Sequence, residues 1–377
     1  MSNFIEPGKT IGIIGGGQLA LMLTFAAKKM GYQVAILDPD RNCAASIAAD
    51  WQIQAAFNDK KALMDFAMKS DVLTYTTDLI DPELVDQLSQ TVSVPQGSDL
   101  LAMVQDRMLE KAYLEANNIN IAPYVSIVDL EDLKQSIPSI GYPCVLKTLY
   151  ARGDRKDEIF LQDEKDISKC ARLLNTGTCV LESIIPFEKE LSIIVSRNGE
   201  GKQTTFPVVE NTYHNGVLHM SIAPARIEEE IEEEVQRIGH MIADRTGLIG
   251  TMGLDLFVTS TGTLYVNTVS PYPNESGYYT TDSCSISTFE AHIRAICNWP
   301  MPEAIMYSAV VAVAILPERL DAVKAQIQLK PDWRFHFYDS SELKKYRNLG
   351  YILIPTDDRT KTIDTVFNTS IWEQQND

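Results

Sequence analysis

Basic residues are scarce: 33 lysines and arginines stand against 51 aspartates and glutamates, a formal charge of −18 at neutral pH over 377 residues. Such a chain has no cationic surplus with which to displace the counterions of a nucleic acid or to settle on an anionic bilayer, so neither is an expected partner. An anionic ligand must therefore meet local cations or backbone N–H groups. Cysteine is sparse too. Cys43, Cys144, Cys170, Cys179, Cys284 and Cys297 form no CxxC pair and no zinc-like spacing with the five histidines, which leaves reduced, mostly buried thiols as the expectation. No stretch approaches the ~20 apolar residues of a membrane span, and the opening MSNFIEPGKT lacks the apolar core and cleavage signature of a leader. A cytoplasmic protein is expected. Internal repeats and low-complexity linkers are missing as well.

What is present is an ordinary globular composition, 45% apolar and 22% charged, over a length that implies two or three cores. The segment TIGIIGGGQLALMLTFAAKKMGYQVAILDPD reads as a β-turn-α-β unit, an apolar run interrupted by three glycines, then an amphipathic helix and a second apolar run. Gly15, Gly17 and Ala20 fit G-x-G-x-x-A, and Asp38 follows at the distance of a ribose-binding acid, which is a dinucleotide signal. The underlying physics is wider than that. Small residues let backbone N–H groups and a helix N-terminus approach any phosphate, so a sugar phosphate fits the same turn.

Alternation of strands and helices continues to about Pro95, predicting a parallel sheet with covering helices. One helix is expected over residues 102–118. From about Ile121 short strands mix with helices, and the acidic segment IEEEIEEEVQRIGHMIADRTG keeps Ile231, Val235, Ile238 and Ile242 at helical spacing, with its glutamates on a solvated face. MGLDLFVTSTGTLYVNTV reads as a hairpin turned at Ser260–Gly262, followed by a helix near STFEAHIRAI and a smaller mixed unit from about Pro300.

Read together, IGIIGGGQLA, QDRMLEKAYLEANNINIAPY, GYPCVLKT, PFEKELSIIVSR, PVVEN, SIAPAR, LYVN and CSISTFEAHIRAI resemble, in order and spacing, the ATP-grasp family of 5-(carboxyamino)imidazole ribonucleotide synthases. The resemblance implies an α/β and α+β fold: a Rossmann-like ribonucleotide domain over 1–98, an ATP-grasp domain over 99–298 with a lid at about 121–181, and a C-terminal domain over 299–377. It also implies ATP and Mg2+ as cofactors, a homodimer, and a reaction in which ATP activates bicarbonate to carboxyphosphate, which carboxylates the amine of aminoimidazole ribonucleotide.

By the same resemblance Arg107, Lys147, Glu182, Ile184, Ile185, Glu190 and Asn267 contact ATP. Gly15, Gly17, Gln18, Leu19, Asp38, Tyr75, Tyr272 and Lys345 face the ribonucleotide or bicarbonate, and Asp154, Lys156 and Arg347 serve the reaction. Asp255, Asn267 and Thr268 are the candidate metal ligands. The chemistry accounts for these residue types, since phosphoryl transfer needs cations at the phosphates and a divalent metal between phosphates and carboxylates.

Several positions depart from the family pattern. ARGDRKD at 151–157 replaces a glycine-rich lid, keeping only Asp154 and Lys156. Asp255 and Thr268 stand where the family carries two glutamates. Tyr272, Asn274 and Glu275 stand for its arginine, histidine and asparagine. TYTTDL and RNLGY replace the ends of its ribonucleotide site, with Arg347 kept and Lys344 and Lys345 nearby. Two further readings stay open at this level: a paralogue that binds nucleotide in a regulatory role or acts on another substrate, and a nicotinamide-dependent dehydrogenase resting on the glycine turn alone.

Overall fold

The computed structural model describes residues 4–150, 158–214, 216–338 and 348–372. The first apolar run is strand β1 (Thr10–Ile14), buried throughout, and the chain turns through the glycines into helix α1 (Gln18–Lys29) before returning as β2 (Gln33–Asp38). Strand β3 (Trp51–Gln54), helix α2 (Lys60–Met68) and strand β4 (Val72–Tyr75) complete a parallel sheet of order β3-β2-β1-β4, and helix α3 (Pro82–Ser89) follows. Strands covered on both faces carry unbroken apolar runs, which is why TIGII and VAIL show no alternation.

The single helix expected over 102–118 is two, α4 (Asp99–Gln105) and α5 (Arg107–Ala116). Asp106 causes the break. Its backbone is extended at φ −108°, ψ 108°, and its carboxylate accepts the N–H groups of Met108 and Leu109 as the cap of α5. Local capping competes with helical periodicity here, and apolar spacing alone does not register that competition.

Strand β5 (Tyr124–Ile127), helix α6 (Leu130–Ile140), strands β6 (Cys144–Thr148) and β7 (Glu158–Leu161), helix α7 (Ala171–Leu174) and strand β8 (Cys179–Ser183) make a small antiparallel lobe of order β5-β8-β6-β7. The break at Asp106 docks α5 against it, with the Arg107 N–H donating to the Leu149 carbonyl at 3.1 Å.

The chain then builds one large sheet. Strands β9 (Lys189–Arg197), β10 (Gln203–Thr205), β11 (Val209–His214) and β12 (Val217–Ala223) precede helix α8 (Glu229–Arg245), and β13 (Gly250–Val258) with β14 (Leu264–Ser270) form the expected hairpin. Val235, Ile238 and Ile242 of α8 are buried in the core shared with β9 and β13, while its glutamates lie outside. Helices α9 (Thr280–Ser283) and α10 (Thr288–Ile296) lead to strand β15 (Ala309–Ala314), helix α11 (Leu320–Leu329), strands β16 (Arg334–Phe337) and β17 (Gly350–Thr356), and helix α12 (Arg359–Phe367). Because β15 pairs with β12, the C-terminal strands extend the central sheet, in the order β14-β13-β9-β11-β12-β15-β17-β16, with β10 also on β9. All six cysteines are buried and free, and among the described residues no helix is long and apolar enough to cross a membrane.

A buried polar relay joins the first domain to the large sheet. His292 Nδ1 accepts the Thr251 N–H at 3.0 Å, so its Nε2 carries the proton and donates to Thr74 Oγ1 at 2.8 Å. Thr74 donates to Gln96 Oε1 at 2.7 Å, and Gln96 Nε2 donates to the Pro271 carbonyl at 2.6 Å. Strand β4, strand β13, helix α10 and the loop after β14 are thus tied through one chain of bonds.

Burial holds His292 neutral by pushing it down to about 3 from 6.5. In the unfolded chain the same imidazole protonates near 6.5, so unfolding takes up a proton in the interval between. This contribution to stability is complete above about pH 6.5 and is lost as pH falls toward 3, by up to roughly 1.4 kcal/mol per pH unit. Urea midpoints at pH 7 and pH 5 should diverge accordingly, and His292→Gln should flatten the difference. An equal pH slope in the variant counts against the relay.

Candidate active site

Three clusters hold most of the expected site residues that the structure describes. The first is the glycine turn. Gly15 holds φ +101°, and a Cβ there would come within 2.7 Å of Thr76 Oγ1. Around Gly17, by contrast, a Cβ would meet nothing within 4 Å, so the start of α1 opens onto free space. That helix has no side-chain cap and no acid in its first turn, which leaves the N–H groups at Gln18 and Leu19 suited to a phosphate. Asp38 is engaged otherwise than the dinucleotide signal implies. Its carboxylate takes the Gly16 and Asp40 N–H groups, each at 2.7 Å, and braces the turn from behind. Gln18 Nε2 donates to the Asn348 carbonyl, joining the turn to the C-terminal strands.

The second cluster is cationic and lies between α5 and the small lobe. Glu182 on β8 is buried and receives Lys147 Nζ of β6 at 3.0 Å and Lys111 Nζ of α5 at 3.2 Å. Burial works against its charge, but the two ammonium groups outweigh it and hold the carboxyl below its ordinary range. Arg107 joins from the same helix face, its Nε donating to the Thr148 carbonyl at 3.1 Å and its guanidinium lying 3.8 Å from Glu158. Glu110 beside them is pushed up to about 7, chiefly by burial, and accepts the Val269 N–H of β14 at 2.8 Å. The expected contacts Arg107, Lys147 and Glu182 are thus brought together. Lys111 and Glu110 were missed by sequence reasoning, although Lys111 follows Arg107 by four residues and so shares its helix face. Ile184 and Ile185 form the connection from β8 to β9, with the Ile184 N–H donating to the Pro143 carbonyl at 3.3 Å.

The third cluster is a pocket of about 250 Å³ on the large sheet, lined by Glu190, Ser192, Asn211, Tyr213, Asp255 and Asn267. A register shift between β13 and β14 sets Asp255 opposite Thr268 but Leu256 opposite Val266, so Asn267 is the extra residue of a bulge. Val266 and Val269 remain buried while Asn267 and Thr268 both stay out of the core, which puts two consecutive residues on the pocket side. The Ser192 hydroxyl donates to Asp255, and burial pushes that carboxyl up to about 6. Asn211 Nδ2 donates to Ser192 Oγ at 2.7 Å and to Ser276 Oγ at 2.9 Å.

Among the described residues no three His, Cys, Asp or Glu side chains form a metal cage. One carboxylate short of a counter-charge with neutral oxygens beside it still fits magnesium, which commonly takes one or two carboxylates and completes its shell with water and nucleotide phosphates. Asp255, Asn267 and Thr268 are the residues that would hold it.

The stretch after β14 carries the remaining expected positions. Tyr272 packs edge-on to Tyr75, with centroids 6.5 Å apart, and Tyr75 donates its hydroxyl to the Gly97 carbonyl. Asn274 lies directly over Gly253, where any Cβ would collide with it at 2.4 Å. Asp154, Lys156, Lys345 and Arg347 lie outside the described residues.

Two lobes that present cations from one side and a carboxylate pocket from the other, preceded by a parallel-sheet domain with a phosphate-ready turn, define an ATP-grasp protein. The ATP-grasp domain model matches residues 112–289, and that of the ribonucleotide synthetase preATP-grasp domain matches residues 8–105. An N5-carboxyaminoimidazole ribonucleotide synthase of Bacillus subtilis is 36% identical over 97% of this chain and 96% of its own. An N5-carboxyaminoimidazole ribonucleotide synthetase solved as an ADP complex superposes with a TM-score of 0.95 at 40% identity, covering 100% of both chains. The Staphylococcus aureus synthetase, also complexed with ADP, gives 0.92 at 33%, covering 97% of this chain and 98% of its own. The chain belongs to the N5-carboxyaminoimidazole ribonucleotide synthase family.

Restoring one negative charge beside Asp255 tests the metal placement. Thr268→Glu is expected to tighten magnesium-dependent ADP binding by about tenfold, corresponding to roughly 1.4 kcal/mol. Calorimetric titrations at two magnesium concentrations provide the measurement, and an affinity identical to that of the parent chain at both would displace the site from Asp255.

Proposed function

We propose that the chain is an ATP-dependent ligase that carboxylates 5-aminoimidazole ribonucleotide with bicarbonate, by way of carboxyphosphate, in purine biosynthesis. The reading is carried by the full-length match to synthetases solved with ADP. It is supported by a site that gathers Arg107, Lys147 and Glu182 opposite Asp255 and Asn267. The dehydrogenase reading fails on the same ground, because the acid of its fingerprint is spent on the Gly16 and Asp40 N–H groups.

Each group has a physical task in this reaction. Lys147 and Arg107 offset the charge of the nucleotide phosphates, and Glu182 fixes where Lys147 can point. The Ile184–Ile185 connection and Glu190 border the base and ribose. Magnesium supplies charge neutralisation between the outer phosphates when bound, held by Asp255 with the oxygens of Asn267 and Thr268. Gly15, Gly17, Gln18 and Leu19 receive the ribonucleotide phosphate at the start of α1, while Tyr75 and Tyr272 form an apolar wall beside it. The family resemblance assigns Asp154, Lys156, Arg347 and Lys345 to the reaction, in which exclusion of water protects carboxyphosphate from hydrolysis. A homodimer at work in the cytoplasm completes the reading on family resemblance alone.

Purified chain with ATP, magnesium and bicarbonate should release phosphate faster when aminoimidazole ribonucleotide is added. Lys147→Met is expected to lower kcat/KM by about 10²-fold or more through loss of phosphate stabilisation. A folded protein whose phosphate release is indifferent to the ribonucleotide sinks this function and revives a regulatory nucleotide-binding paralogue.

A further inference from the structure

A second, much smaller cavity of about 20 Å³ lies beside the large pocket, bordered by His219, Ser221, Glu275, Ser276, Tyr278 and Asn348. That is room for about one water molecule. Its position follows from the bonds around it. Ser221 Oγ donates to Asn211 Oδ1 at 2.7 Å and Ser276 Oγ accepts from Asn211 Nδ2, while Asn211 reaches Asp255 through Ser192. On the opposite wall, the Asn348 carbonyl takes the Gln18 amide of the glycine turn. The cavity is therefore tied by hydrogen bonds to the carboxylate pocket on one side and to the glycine turn on the other.

Two of its groups lack partners of their own. Both ring nitrogens of His219 are buried and have no hydrogen-bond partner among the described residues. A neutral imidazole always carries one donor and one acceptor, and leaving them unmatched out of water costs stability, so an unmatched buried pair marks a place for a hydrogen-bonding visitor. Glu275 has no ion pair and no side-chain hydrogen bond among the described residues, and burial raises its carboxyl, making the ionised form a stronger base. Among the described residues the cavity wall holds no cation: beside the hydroxyls of Ser221 and Ser276, Asn348 and an imidazole it is aliphatic and tyrosine side chains. Such a pair serves an amine, which brings N–H donors to a carboxylate and must lose a proton to react.

We propose that Glu275 accepts the proton released when the acceptor amine is carboxylated, and that His219, across the small cavity, accepts a hydrogen bond from the protonated carboxyl through one water. The inference rests on the carboxylation reading above. In the step, the amine lone pair forms the N–C bond to the carboxyphosphate carbon, and the bond from that carbon to the phosphate-bearing oxygen breaks, its electron pair leaving on inorganic phosphate. One N–H proton passes to a Glu275 oxygen. The unprotonated ring nitrogen of His219, held neutral by burial and by nearby His214, then accepts a hydrogen bond from the new carboxyl through one water.

The test compares three chains with ATP, magnesium and bicarbonate, with and without aminoimidazole ribonucleotide. Glu275→Gln keeps the shape but cannot take a proton, so ribonucleotide-dependent kcat should fall about 10²-fold while the ribonucleotide KM stays within about threefold. Magnesium-dependent ADP binding should be unchanged. Glu275→Ala should lose as much and regain turnover in added formate, a recovery that a purely structural role does not produce. A Glu275→Gln rate within threefold of the parent overturns the proposal, as does a loss confined to KM or a shifted magnesium dependence, which would make Glu275 a holding group or metal ligand. Parent chain without ribonucleotide-dependent turnover overturns the underlying reading and takes this role with it. A normal parent with a normal variant overturns the role alone.

Discussion

Glu182 gathers two ammonium groups in a protein whose formal charge is −18, and the packing of α5 on the small lobe depends on that concentration. An acidic chain can approach triphosphate only where its few cations are held together, and lysines held together repel unless an anion lies between them. The carboxylate does this from β8 while its partners come from α5 and β6, so one buried ion cluster also fixes a helix to two strands. The break of helix at Asp106 belongs to the same constraint. Without it, Arg107 could not donate its backbone N–H to the lobe, and the helix face bearing Arg107 and Lys111 would continue the axis of α4.

A second dependency runs between domains. The first domain's glycine turn and Tyr75 meet Tyr272 after β14 and Asn348 before β17, and these contacts exist only while the domains remain registered. The His292–Thr74–Gln96 relay supplies that register with buried hydrogen bonds that water cannot replace cheaply, and the part-buried Gln18–Asn348 bond adds to it. The C-terminal strands contribute through the sheet itself, since β15 extends from β12 and carries β17 with it.

The altered positions sort by location. Where the resemblance places metal, the bulge at Asn267 leaves Asn267 and Thr268 outside the core, with Thr268 opposite Asp255. Where it places the ribonucleotide and bicarbonate, the change is larger. Tyr351 stacks on Tyr278 with centroids 4.6 Å apart and on His336 at the same spacing, so aromatic rings fill a corner where the resemblance implied basic groups. Glu275 brings a carboxylate into that corner, and the small cavity gives it a neighbour in His219.

By itself the sequence determined the element order, the β-turn-α-β start, the buried face of α8 and the β13–β14 hairpin, and the resemblance singled out Arg107, Lys147 and Glu182, which the fold brings together. Periodicity and motif spacing are local properties, and local order along the chain is what they encode. Tertiary structure alone decided how the carboxylates are engaged. Asp38 turned out to brace its own turn, Glu182 to be shared by two lysines, and Glu275 to line one small cavity with a histidine from another strand, because hydrogen bonds and desolvation act between groups brought close by folding and leave no trace in their spacing. The same holds for His292, Gln96 and Asn211, whose partners come from 218, 175 and 65 residues away.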